Sequence, residues 1–372
     1  MLSRCKQIKN EYEQLQALMK GYLLEFDKNN VNRNNIRKIK AEWEAIYDSL
    51  DERIDEDQIA LRDRLGRKLG LAFVGKFSED GLARVNNGGG WYPDDKGGLA
   101  ENKNGWFYID QNGVPITSRR FQEAKDFSEG LAQVQLGFDY FFIDKTGVQV
   151  TNRKFSYAGN FSEGLARVSN GDQRSFVDRS ITTVIQGPFE QTQDFSEGVA
   201  AVFRHDKWFF IDKAGVEVFN QYFDYARSFS DGVATVTHGG KSFFIDKTGA
   251  QIFGTQFDEA FNFSEGAARV RQGTNWFFID RTGAPLFKKQ FVNVDDFSDG
   301  VARVYNDGEA FYIDMTGKTI TNEHFDEAYS FVEGFAPVKQ AGKWFFIDKT
   351  GAPLSDERFN DVGQFFNGVA SV

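Results

Sequence analysis

The sequence predicts an all-β tandem repeat array of short four-stranded antiparallel units stacked face to face, preceded by an α-helical hairpin. Three observations carry that expectation. Phe recurs every 34 residues from Phe121 to Phe359, and a second Phe series runs with the same step from Phe127 to Phe365. Each repeat contains two turn signals, FSEG or FSDG and then IDKTG or a close variant, separated by short apolar runs. Residues 3–68 lack this pattern and show helical periodicity instead. The 372 residues hold 40 Phe, 12 Tyr and 6 Trp against only 6 Pro and a single Cys, which excludes a disordered chain and a disulfide framework.

In chain order, residues 1–70 form the helical head. Ile8, Tyr12, Leu15, Met19, Tyr22 and Phe26 alternate steps of four and three, as do Ile36, Ile39, Trp43, Ile46 and Leu50, the spacing of coiled-coil seams. The Asn-rich segment 29–35 separates them, with Asn32 or Asn34 suited to cap the second helix. A third helix is expected near 52–68 with Ile54, Ile59, Leu61 and Leu65 on its apolar side. The head is read either as a cap for the first repeat or as a handle for a partner or for dimerisation. Leu18, Tyr22 and Leu23 widen its apolar face and are candidate contact residues.

The array occupies residues 71–372: an irregular first unit at 71–120, seven full units at 121–358 and a half unit at 359–372. In FSEG, Ser and the acid favour the first turn positions and Gly accepts positive φ. In IDKTG, Asp can hold the amides ahead of it and Gly fits the left-handed position of a bulged hairpin. The strands expected between them are Gln122–Phe127, Leu131–Val134, Tyr140–Asp144 and Val148–Thr151 and their equivalents. Ala132 and Val134 lie two apart on one strand face, and every later unit repeats them up to Ala370 and Val372. The next strand carries Phe141 and Ile143 on one face and Phe142 on the other, so both faces must be covered. A unit this small cannot bury its own core, so the array is the folding unit.

The motif FSEGLARV followed by KWFFIDKTG resembles the WG-repeat, or KWG-type, family, whose units read roughly FSEGLAxVxxxGKWGFIDxxGxxVI. The resemblance runs through about 300 of the 372 residues. The Gly of the Trp-Gly pair is replaced throughout, as in Trp106-Phe107, Trp208-Phe209, Trp276-Phe277 and Trp344-Phe345. Phe in that place implies a bulkier stacking interface. The resemblance implies a bacterial interaction module. The array closes into a propeller-like ring if 359–372 and 106–117 complete one blade, and otherwise forms an open superhelical array.

Chemistry is sparse. His205, His238 and His324 sit singly, and Cys5 has no adjacent base. The Asp column from Asp110 to Asp348 repeats strictly, which marks turn chemistry rather than a general acid. The FSEG carboxylates offer one oxygen donor group per loop, too few for calcium. No cofactor, metal or catalytic residue is expected. The charge is +1 over residues 1–70 and −11 over the remainder, and an acidic array repels phosphate backbones, so nucleic acid is not an expected partner. No run reaches the about 18 apolar residues of a membrane span and no signal peptide opens the chain, so a cytoplasmic protein is expected.

Two departures from the repeat are informative. The insertion Asn86–Asn104 puts Trp91 and Tyr92 on a Gly-rich segment, where aromatics serve as interface anchors or fold back on the first unit. Unit 155–188 loses its Trp (Arg174), its first Phe (Ser175) and its Thr-Gly turn together. The expected function is a non-enzymatic protein-interaction scaffold, with Trp91, Tyr92, Leu18, Tyr22, Leu23 and Arg174 as candidate partner contacts. The alternative is a ligand- or glycan-binding module that grips its ligand between inter-repeat aromatics.

Overall fold

The computed structural model describes residues 61–62, 64–71, 73–86, 105–306, 308–321, 323–332 and 334–363. The expected helical hairpin, with Leu18, Tyr22 and Leu23, and the insertion aromatics Trp91 and Tyr92 lie outside these residues. Of the expected third helix, residues 61–62 and 64–69 are described, and they are helical.

Eight antiparallel sheets follow one another along the described chain. Sheet 1 comprises Phe73–Val74, Leu82–Asn86 and Trp106–Asp110. Sheet 2 comprises Glu123–Ala124, Leu131–Leu136 and Asp139–Asp144. Sheets 3, 4 and 5 have four strands, ending in Thr183–Phe189, Glu217–Phe223 and Gln251–Phe257 respectively. Sheets 6, 7 and 8 again have three, with central strands Ala268–Gln272, Val301–Asn306 and Phe335–Gln340. The boundary between two compact units falls between Arg120 and Phe121.

The strand boundaries differ from the sequence expectation in two ways. The first strand is only two residues long in sheet 2, Glu123–Ala124 instead of Gln122–Phe127. It is short because Lys125 bonds Gln133 and the chain then turns into the FSEG hairpin. The expected fourth strand Val148–Thr151 is reduced to the bridge Ile143↔Gln149, and the chain runs on to Phe155. Phe155 exchanges two backbone bonds of 2.9 Å with Tyr140 in sheet 2, and the next residue, Ser156, donates its amide to Ser169 in sheet 3. The repeating Phe is therefore a seam. It ends one sheet and opens the next with no intervening loop, and Phe291 and Phe325 do the same.

Both turns take the geometry their residues favour. Ser128 and Leu131 close a two-residue hairpin whose central residues Glu129 and Gly130 have φ of 53° and 84°, a type I′ turn. In the second turn Asp144 accepts bonds from the amides of Thr146 (2.9 Å) and Val148 (3.1 Å) and from the Thr146 hydroxyl. These bonds, the Thr146 hydroxyl first, hold the Asp144 carboxyl below the usual carboxylate range. The whole column from Asp110 to Asp348 does this turn work in the same way.

The core lies between sheets. Sheet 4 presents Trp208, Phe210 and Phe223 to Ala226, Phe229, Ala234, Val236, Phe243 and Ile245 of sheet 5. The same sets recur between sheets 5 and 6 and between sheets 6 and 7. The two residues of each third strand that follow the Trp position, Phe in most sheets, face opposite ways. Phe141, Phe209, Phe243 and Phe311 meet the seam Phe twenty residues earlier at 6.2–6.4 Å. Phe142, Phe176, Phe210 and Phe244 meet the FSEG Phe of the following sheet at 5.0–5.3 Å. Such tilted or edge-on pairs add about 0.5–1.5 kcal/mol each beyond area burial. At sheet 1 the face that elsewhere meets a preceding sheet, formed by Ala83, Val85, Phe107 and Ile109, packs with Leu61 and Leu65 of the helix. The described part of the head thus caps the first sheet, as an array end requires.

Candidate functional site

The repeats are joined along one edge by their FSEG turns. The Ser hydroxyl of five turns donates to the Phe carbonyl of the next, among them Ser128 to Phe161, Ser162 to Phe195 and Ser196 to Phe229, all at 2.7 Å. The acid accepts the amide of the next turn's Gly: Gly164 to Glu129 at 2.9 Å, Gly198 to Glu163 at 2.8 Å and Gly334 to Asp299 at 2.9 Å. The basic residue of a later IDKTG turn then pairs with the same carboxylate, as in Arg179–Glu129 at 2.7 Å and Lys213–Glu163 at 3.1 Å. Burial pushes the Glu163 carboxyl up, but the Gly198 amide and Lys213 outweigh it and hold it below the usual range. These acids were expected to serve their own turns. They also bind the next repeat, and the signal in the sequence was the basic column fifty residues on.

A second set of acids lies half-buried between repeats. Arg167 reaches Asp194 of the next unit at 2.8 Å, and Arg269 reaches Asp296 at 2.8 Å. Burial pushes both carboxyls up despite the facing guanidinium groups. These pairs stand singly and bring together no third ligating group. Among the described residues no cluster of three or more His, Cys, Asp or Glu could hold a metal ion. His205 and His238 occupy the hairpins between the second and third strands of sheets 4 and 5. His324 stacks on Phe311 with ring centroids 5.1 Å apart and pairs with Glu309 at 2.6 Å. Trp208, Trp276 and Trp344 are each under a tenth exposed, so the inter-repeat aromatics face the protein's own side chains.

Between sheets 3 and 4 lies an open groove of about 240 Å³, with Ile185, Phe189, Phe209 and Ile211 among its walls and Gly187, Pro188, Arg204 and Glu217 also lining it. Arg204 and Glu217 pair at 2.6 Å, and the Tyr222 hydroxyl donates to Glu217 at 2.8 Å. That bond to a carboxylate holds the Tyr222 hydroxyl above its ordinary pKa. At the position of Ile185 the next three units carry Phe219, Phe253 and Phe287, whose rings lie over Gly249, Gly283 and Gly317 of the following turn, and the unit after them carries Thr321 over Gly351. Ile185 lies over Gly215 in the same way. Arg174, the one sequence candidate among the described residues, is half-buried opposite Phe189 and does not line the groove. The groove nevertheless falls in the unit whose sequence breaks the pattern.

A second exposed feature was not anticipated. Phe138, at the tip of the hairpin in sheet 2, is 94% exposed, and its neighbour Leu136 is 37% exposed. In the six later hairpins the residue at the position of Phe138 is Asp, Gly or Thr.

The WG-type pattern has a structural counterpart at every turn and strand just described. A family model described as WG containing repeat matches seven consecutive stretches: 106–137, 140–173, 175–208, 208–241, 243–276, 276–309 and 311–344. The chain belongs to the WG-repeat family. Most of these stretches begin at or next to the Trp position, so a family unit takes the last two strands of one sheet and the first two of the next. No curated protein matches the chain. Similar solved structures include BamB from Moraxella catarrhalis, at 12% identity and a TM-score of 0.38, covering 75% of this chain and 88% of that one. Hsv2p from Kluyveromyces lactis has 8% identity and a TM-score of 0.36, covering 61% and 92%. Apo AztD from Citrobacter koseri has 13% identity and a TM-score of 0.35, covering 78% and 95%. Among the described residues no helix is long and apolar enough to cross a membrane.

Proposed function

We propose that this WG-repeat protein is a non-enzymatic interaction scaffold whose groove between sheets 3 and 4 receives a side chain of a protein partner. The observation that carries this is the groove itself, about 240 Å³ in volume, which opens in the unit that departs from the repeat pattern. Arg204 and Glu217 line it as a closed ion pair, Glu217 also accepts the Tyr222 hydroxyl, and Ile185, Phe189, Phe209 and Ile211 stand nearly buried behind them. A concave site of this kind suits a partner side chain flanked by main-chain or charged contacts. The acidic balance of the array disfavours nucleic acid as the occupant.

The test is selection of displayed peptides against the wild-type protein and against Ile185→Phe, which restores the residue of the next three units. Peptides sharing an aromatic or branched apolar residue should be enriched on the wild type and lost on the variant. Equal enrichment on both proteins would remove the groove from the binding surface.

A further inference from the structure

We propose that the array carries a hinge at the junction between sheets 5 and 6, about which sheets 6–8 swing as a block relative to sheets 2–5. Three observations carry it. First, both bonds that tie one FSEG turn to the next are missing there. Of the six junctions from sheet 2 to sheet 8, five hold a Ser hydroxyl on the next Phe carbonyl and a Gly amide on the preceding acid. Between sheets 5 and 6, Ser230 makes no bond to the Phe263 carbonyl and Gly266 none to Asp231. Asp231 is one methylene shorter than the Glu of most other turns, and Arg281 takes both its carboxylate and its carbonyl. Asp299, equally short, keeps the Gly334 amide at 2.9 Å where its cation Lys349 stands off at 3.6 Å. Second, no long side chain crosses this junction to the main chain of the next first strand. Arg167, Gln193, Arg269 and Arg303 each bond such a carbonyl, and Arg167 and Arg269 also face an Asp. Thr235 and Asn262 stand in the places of that Arg and Asp. The hydroxyl of Thr235, a residue 3% exposed, and the Oδ1 of Asn262 both lack a hydrogen-bond partner. Third, the core behind this edge is intact. Phe263 packs on Phe244 at 5.3 Å and on Phe253 at 6.3 Å, Phe277 packs on Phe257 at 6.2 Å, and Asn262 Nδ2 donates to the Ser228 carbonyl at 3.1 Å. The two sheets stay joined through their aromatic core while the FSEG edge is free to open. Each repeat touches only its neighbours, so bonds missing at one junction are replaced from nowhere else and bending concentrates there.

Pulsed electron paramagnetic resonance on the full-length protein, with Cys5→Ser as background, tests this on two label pairs that each span three junctions. The labels replace exposed side chains that follow the Gly of the second turn: Val148 and Ala250 within sheets 2–5, and Val216 and Lys318 on sheets 4 and 7, across the hinge. The distance distribution should be narrow for the first pair and at least twice as wide for the second. Asp231→Glu restores the longer acid, and Thr235→Arg combined with Asn262→Asp copies Arg269 and Asp296 of the next junction. Either change should narrow the second distribution and leave the first as it was. The two changes act on separate bonds, and circular dichroism shows which of the variants fold.

Equal widths for the two pairs overturn the hinge, whether both are narrow or both are wide. A wide distribution across sheets 4–7 that neither folded variant narrows also overturns it, because the missing bonds would then not be its cause.

Discussion

The junction between sheets 3 and 4 and the junction between sheets 4 and 5 are built from the same parts. Each is framed by a complete fourth strand, a seam Phe and a Ser-to-Phe bond of 2.7 Å. They differ where unit 155–188 breaks the pattern: Arg174 and Ser175 against Trp208 and Phe209, Ile185 against Phe219, and Gly187-Pro188 against Gln221-Tyr222. Phe219 packs between Phe210 at 5.8 Å and Phe229 at 6.1 Å and covers Gly249, while Ile185 covers Gly215 and leaves a groove. Stability in this array is spread over many repeated contacts, so one junction can lose a ring and remain folded.

The comparison breaks most visibly if a shared core ring is removed. Phe210 is almost fully buried, and Phe210→Ala should cost about 3–5 kcal/mol, read as a drop in the urea midpoint. Ile185→Phe, by contrast, should change stability by no more than the about 1–3 kcal/mol of an overpacked site, and by less if the groove accepts the ring. A loss as large as that of Phe210→Ala would mean that Ile185 is an essential part of its junction.

The glycines beneath the ring sharpen the difference. Gly249 and Gly198 both have positive φ, 80° and 91°, and an Ala at either position pays the left-handed penalty of about 1–2 kcal/mol. At Gly249 the new Cβ would also stand 2.7 Å from the Phe219 side chain, whereas at Gly198 nothing lies within 4 Å. Gly249→Ala should therefore be the costlier by about 1–3 kcal/mol. Phe219→Ile should remove much of that excess in a double-mutant cycle, since it recreates the more open arrangement of Ile185. Equal penalties at the two glycines would show that the ring yields freely.

Acid tests the parts that both junctions share. The Thr hydroxyl and turn amides hold Asp246 and Asp280 below their ordinary carboxyl value of 3.8. A lowered folded pKa stabilises the fold above the unfolded value, and that contribution is lost as pH falls through the folded pKa. Asp194 and Asp296 have raised pKa values, so protonating them on acidification relieves a buried charge and favours the fold. Melting temperature should hold down to the ordinary Asp range and fall below it, as the turn carboxyls take up protons. A fall that begins well above that range would assign the acid sensitivity to other groups.

Much of this was legible in the chain. The 34-residue period, the turn at each Gly and the apolar residues on both strand faces follow from spacing alone. The seam role of Phe155 was not legible, because pairing with Tyr140 on one side and the bond from Ser156 to the next sheet depend on the angle between sheets. The Ser and Glu bonds across repeats were hidden for a different reason. Ser128 reaches Phe161 thirty-three residues on, within the same motif one period later, so a strictly repeated column gives no separate sign of contact between copies. The groove was visible only as a disturbed unit, read there through Arg174 and Ser175. The walls come from two sheets, with Gly187 and Pro188 of one meeting Arg204 and Glu217 of the next, a pairing that no spacing in the chain announces. Phe138 lies outside the repeating Phe columns, and its exposure follows from its place at a hairpin tip.

The smallest expected effect bears on why Glu stands at a left-handed position at all. Glu163 has φ of 55°, a conformation that costs a non-Gly residue about 1–2 kcal/mol and that Asn or Gly would adopt more cheaply. Its carboxylate recovers this by accepting the Gly198 amide, a bond to a charged group worth about 1.5–3 kcal/mol, and Glu163→Ala should lose about that much. Lys213 adds an exposed ion pair at 3.1 Å, worth about 0–1 kcal/mol and screened by salt. The array contains its own control. Glu265 accepts the Gly300 amide at 2.9 Å although Met315 stands where the other repeats place Lys or Arg. Lys213→Met copies that arrangement and should shift the urea midpoint slightly in low salt and not at all in 1 M salt. A salt-independent loss as large as that of Glu163→Ala would make the cation, rather than the amide, the reason for the acid.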